Sequence, residues 1–126
     1  MQHLIELALC ANLEILTGLR ALCIRYAVPQ DRMAQLLAAL AEFRCGLLAM
    51  RAAPASLETI EQAQMSHAEI TLAVAQCLAG RVPADLAAQH AATLEDFAIG
   101  LAQLAAETGR AASATSSPFP PSSGKT

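Results

Sequence analysis

The sequence has no tryptophan, one tyrosine and one lysine, and only 15% of its 126 residues are charged. A net charge of -3 with so little lysine excludes the basic surface through which nucleic-acid-binding proteins neutralise phosphates. Long uncharged apolar runs are also missing. The longest, Ile70 to Gly80, is eleven residues against the roughly eighteen of a spanning helix. The first ten residues lack a basic segment and carry Glu6, which makes a poor secretory signal. Leu7-Ala8-Leu9-Cys10 has the outline of a lipoprotein cleavage box, but Leu9 is bulky where a small residue is needed. These absences predict a cytoplasmic protein with reduced thiols, no membrane span and no nucleic-acid partner. Absent too are Cys-x-x-Cys pairs, Glu-x-x-His motifs and glycine-rich phosphate loops, so no cofactor is expected.

What is present is an apolar chain, 55% hydrophobic with a mean hydropathy of +0.41, that repeats itself. Residues 28–50 align without a gap on residues 82–104 at an offset of 54, with ten identities in twenty-three positions. They include Val28/Val82, Pro29/Pro83, Asp31/Asp85, Leu40/Leu94, Phe43/Phe97, Gly46/Gly100 and Leu47/Leu101. An alanine-rich composition alone gives about two or three, so an internal duplication is the better account. Upstream, the same offset keeps only Thr17/Thr71, Ala21/Ala75 and Cys23/Cys77, and sets His67 where the first half has Leu13.

Within the repeat, Met33, Leu36, Leu40, Phe43, Leu47 and Met50 recur at alternating spacings of three and four, the seam of an amphipathic helix. Its counterpart carries Ala87, His90, Leu94, Phe97, Leu101 and Leu104. Punctuation predicts four helices, near 2–26, 29–51, 56–80 and 83–108. Pro29 and Pro83 suit first turns, Ser56 an N-cap, and Gly80 and Gly109 helix stops. Arg25, Arg51, Arg81 and Arg110 fall at the proposed C-termini, where a cation offsets the helix dipole. The predicted fold is all-α: an up-down four-helix bundle over residues 1–109, made of hairpins 2–51 and 56–108, followed by a disordered Ser/Pro-rich tail, 110–126. Gly46 and Gly100, inside helices, predict close helix approach at those points.

Four groups of residues are candidates for function. Helix 1 has more apolar residues than one face holds, and Leu4, Leu7, Ile15 and Leu22 are its candidate interaction surface, for a second copy or another protein. The second hairpin is acidic: from Ala55 to Gly109 the balance is -6, against +1 up to Pro54, which favours a basic partner or head-to-tail self-association. Cys10 and Cys45 come level across the first hairpin, a candidate disulfide or shared metal site with His67 or His90 as auxiliary ligands and Met33, Met50 and Met65 as soft donors. Cys23 and Cys77 read as core packing. His67 in a seam, level with Asp96 and close to Glu95, is a candidate acid-base pair.

The leading expectation is a small non-enzymatic interaction protein, a chaperone, adaptor or regulator that self-associates as a homodimer or binds another protein. A metal- or thiol-redox bundle is the alternative, and an enzyme using His67 with Asp96 or Glu95 the third. Four-helix bundles carry many functions, so the fold does not choose among them.

Overall fold

The structure, a computed structural model, describes the backbone of residues 2–53 and 55–116 and side chains as far as Ala111. Four helices fill it: α1 (Gln2–Arg25), α2 (Gln30–Ala52), α3 (Leu57–Leu78) and α4 (Ala84–Ser116). The principal contacts are α1 with α2, α2 with α3, α3 with α4 and α4 with α1, the closed ring of an up-down bundle. The α2 seam enters the core through Leu36, Leu40, Leu47 and Met50, and its α4 mates Leu94, Phe97, Leu101 and Leu104 are buried with it.

The two halves superpose in α2 and α4 at the expected offset of 54, but α1 and α3 do not. Buried positions Ile5, Asn12, Ile15, Leu19 and Cys23 of α1 correspond to Ile60, His67, Ile70, Val74 and Leu78 of α3, an offset of 55. That register brings out identities hidden at 54: Ile5/Ile60, Glu6/Glu61, Ala8/Ala63, Glu14/Glu69 and Ile15/Ile70. Between the repeat mates Cys23/Leu78 and Pro29/Pro83 the first half therefore holds one residue more, taken up by the end of α1, while its non-helical connection, 26–29, is shorter than 79–83. His67 stands in place of Asn12, not of Leu13, which is exposed, and Cys23 and Cys77 occupy different repeat positions although both are buried.

Turn chemistry accounts for the extra residue. In the first turn Val28 N–H bonds Cys23 O at 2.9 Å and Ala27 N–H bonds Ile24 O at 3.4 Å, the paired bonds of a Schellman cap, with buried Val28 closing over Cys23. Ala27 takes the left-handed position at φ 53°. In the second turn Ala79 (φ -59°, ψ 126°) and Gly80 (φ 75°) form a type II turn closed by Arg81 N–H to Leu78 O at 3.1 Å, where glycine is the residue required. A left-handed alanine costs about 1 kcal/mol that glycine does not. Ala27→Gly is accordingly expected to stabilise the bundle by up to about 1 kcal/mol in urea unfolding, less what glycine adds to unfolded-chain entropy. A loss of stability would show that the left-handed alanine is not strained.

The helix ends differ from expectation in three respects. Pro29 is the N-cap of α2 and lies just outside the first turn, accepting Met33 N–H at 3.0 Å; Pro83 accepts Ala87 N–H in the same way. Gly109 does not stop α4, which runs on to Ser116 through alanine-rich sequence whose high helix propensity outweighs one glycine. Arg110 therefore sits inside the helix, paired with Glu107, and not at its end. The rest of the expected tail, 117–126, lies outside the described residues. Ser56 does cap α3: its Oγ accepts Thr59 N–H at 3.1 Å. Arg81 also reaches back to Cys77 O at 3.2 Å.

By length and mean hydropathy, α1 and α2 each hold a window apolar enough to cross a membrane, 28% of it buried in the bundle. Both helices carry charge near mid-length, Glu14 in α1 and Glu42 and Arg44 in α2. Each such charge costs about 2.5–3.5 kcal/mol at a bilayer centre.

Candidate functional site: buried polar groups, free thiols and two matched grooves

Each hairpin buries one polar side chain that reaches across to the same carbonyl of its second helix. In the first, Asn12 is 1% exposed and donates from Nδ2 to Leu40 O at 3.5 Å. In the second, His67 donates from Nε2 to Leu94 O at 2.9 Å. Leu40 and Leu94 are repeat mates. Arg44 completes the first arrangement, its Nη1 donating to Leu9 O at 3.0 Å and to Asn12 Oδ1 at 3.4 Å. Position 98 on α4, the mate of Arg44, is alanine, so the second half has no such clamp. Sequence reasoning missed Asn12 and Arg44. The available signal was an asparagine in the apolar series Ile5, Leu9, Ile15, Leu19.

His67 lies in an aromatic cluster. Its ring centroid is 4.8 Å from Phe97 and 6.0 Å from Phe43, and the two phenylalanines meet edge to face at 5.6 Å. The Thr71 hydroxyl donates to the His67 carbonyl at 2.9 Å. Burial lowers the pKa of His67 below its ordinary value, and the bond to Leu94 O opposes that only in part. The expected contact with Asp96 or Glu95 does not form: both carboxylates are exposed, while the histidine proton is held by a main-chain carbonyl. Helical geometry is the reason, since residues one or two beyond Leu94 point well away from the core-facing side.

His90 is 8% exposed and packs over Gly18, where a β-carbon would stand 3.9 Å from its Cε1. Its Nε2 is buried with no hydrogen-bond partner among the described residues. Burial lowers its pKa as well.

Cys10 and Cys45 are free and exposed, facing away from the core on separate helices, so the structure does not bring them together with either buried histidine. No group of three or more His, Cys, Asp or Glu suited to a metal forms among the described residues. Met50 is buried in the core and Met65 is exposed. Cys23 and Cys77 are core residues as expected. Burial first, and then neighbouring Cys77, push the Cys23 thiol up, which disfavours the reactive thiolate.

The proposed interaction residues of helix 1 divide. Ile15 is 2% exposed and belongs to the core, while Leu4 and Leu22 are partly buried against it; only Leu7 is open to solvent. The apolar excess of α1 arises because it packs on both α2 and α4, leaving Leu7, Leu13 and Ile24 outside at 53%, 51% and 61% exposure.

Gly46 and Gly100 mark no close approach, since a β-carbon at either would meet nothing within 4 Å. They open onto two surface grooves. One, of about 350 Å³, runs between α2 and α3 past Gly46, Phe43, Glu42, Ala63 and Glu69. The other, of about 430 Å³, runs between α4 and α1 past Gly100, Phe97, Asp96, Ala8 and Glu14. Under the two offsets these are the same positions. The α2/α3 groove continues into a second compartment of about 490 Å³ through Ala39, Glu69 and Ile70. At the equivalent place on the other side His90 closes over Gly18. Comparison of the chain with known protein families, with curated proteins and with solved structures gave no match.

Proposed function

We propose that this protein is a non-enzymatic helical interaction module, of chaperone, adaptor or regulator type, which self-associates through the outer face of α1. The observation that carries the reading is the open apolar seam on that helix. Leu7, Leu13 and Ile24 are all more than half exposed, and Cys10, Thr17 and Ala21 fall between them on an outer arc that also carries Glu6 and Glu14. Spacings of three and four along an exterior face are those by which helices pack on one another. The bundle core is already complete without this seam, so a second copy is the occupant with a matching surface, the two α1 seams meeting about a twofold axis. Charged residues near the middle of α1 and α2 favour a water-facing setting over a bilayer, and free exposed thiols suit the reducing cytoplasm.

Sedimentation equilibrium of the full chain tests this. The wild type is expected to be a dimer, and Leu13→Glu with Ile24→Glu a folded monomer, because each glutamate would face its copy across an apolar seam. A wild-type monomer over the whole accessible concentration range, or a dimer indifferent to both substitutions, overturns the proposal.

A further inference from the structure

The duplication left two grooves with matched walls. In the α2/α3 groove Glu42 stands on one wall and Glu69 on the other; in the α4/α1 groove Asp96 and Glu14 hold the equivalent places. Phe43 and Phe97 give each groove one ring, Gly46 and Gly100 open each floor, and Ala63 and Ala8 keep the facing wall low. Most other exposed positions changed between the halves; these kept their character. Two other acidic pairs are retained: Asp31 and Asp85 lie at the positive ends of their helices, and Glu6, the mate of Glu61, pairs with Arg51. The groove carboxylates have no such reason. Among the described residues the ion pairs are Arg51 with Glu6 and Arg110 with Glu107, so all four groove carboxylates lack a cationic partner.

We infer that the two grooves are equivalent binding sites for a small organic cation: an ammonium group on an apolar, ring-sized body. The volumes, about 350 and 430 Å³, lie within the range of small-molecule sites. An apolar floor takes the hydrocarbon, a carboxylate on each wall meets the ammonium, and the phenylalanine ring attracts organic cations as well as hydrocarbon. A neutral body of the same shape finds the floor but not the charge. An anion is repelled by both walls.

Nitrogen-15 NMR titration of the full chain with phenethylammonium chloride, and separately with 2-phenylethanol, reads each groove through its own glycine. Saturable shift changes are expected at Gly46 and Ala63 and, independently, at Gly100 and Ala8, with the neutral alcohol binding about tenfold or more weakly. Gly46→Leu is expected to fill the first groove and abolish its response while the Gly100 response stays; a β-carbon there meets no atom within 4 Å, so the fold should accept it. Glu42→Gln with Glu69→Gln changes only exposed side chains and reads the same site should the leucine perturb the helix; it is expected to weaken binding about tenfold. Equal binding of amine and alcohol, loss of neither response in these variants, or no saturable shift at millimolar amine overturns the inference.

Discussion

Replacing His90 with leucine is expected to make the protein more stable, by about 1–3 kcal/mol in denaturant unfolding, which is the usual cost of a buried polar group left without a partner. His90 Nε2 is such a group. The other half of the molecule shows what the position accepts, since its repeat mate Leu36 is buried 7% exposed in the equivalent seam. Leucine is close in volume to histidine, and Gly18 leaves the space that either side chain occupies. The same substitution at His67 is expected to act in the opposite direction. There the Nε2 proton is bonded to Leu94 O at 2.9 Å and the ring is packed between Phe43 and Phe97, so His67→Leu loses a hydrogen bond worth about 1 kcal/mol and part of an aromatic cluster. One chemical change with two signs isolates hydrogen-bond satisfaction from hydrophobicity, because hydrophobicity alone would stabilise at both sites. A destabilised His90→Leu would mean that the imidazole has a partner in solution, for which bound water is the obvious form.

The repeat made much of this architecture legible. Ten identities at one offset, two proline-bounded seams and a capping serine were enough for four helices and their pairing. What stayed hidden was the register of α1 against α3. A single residue of difference between a Schellman cap and a type II turn moves every upstream match by one, and in a helix that is 100° of rotation. It turned Leu13, an exposed residue, into the apparent mate of His67, and concealed Asn12. Alanine caused the second difficulty. With small side chains on all sides of α2 and α4, periodicity marks the core but cannot distinguish a close helix crossing from a groove, so Gly46 and Gly100 were legible as special and not as floors. The thiols illustrate a third limit: level placement across a hairpin says how far along an axis two residues lie, not which way they face, and Cys10 and Cys45 both face outward.

Acid is expected to destabilise this bundle through its two buried histidines, and the direction follows from their burial. Both have folded-state pKa values below the ordinary 6.5, His67 chiefly and His90 solely through desolvation. Between the folded and unfolded values the unfolded chain binds more protons, so stability must rise with pH across that window. Their contribution is complete above the ordinary histidine range and is lost progressively as pH falls through and below about 6.5, with a slope of at most about 1.4 kcal/mol per pH unit for each histidine. Among the described residues neither ring has a carboxylate within hydrogen-bonding distance to hold an imidazolium: His67 faces Phe43, Phe97, the Leu94 carbonyl and the Thr71 hydroxyl, and His90 faces Gly18. Urea unfolding at a series of pH values between 7.5 and 5 is expected to show this decline in wild type, a smaller one in His90→Leu, and little of it in the His67→Leu, His90→Leu double variant. Stability unchanged from pH 7 to 5 in wild type would mean that both rings are solvated or find acidic partners, and the double variant tells histidine titration apart from any other acid-labile group, since only the histidine part can vanish with it.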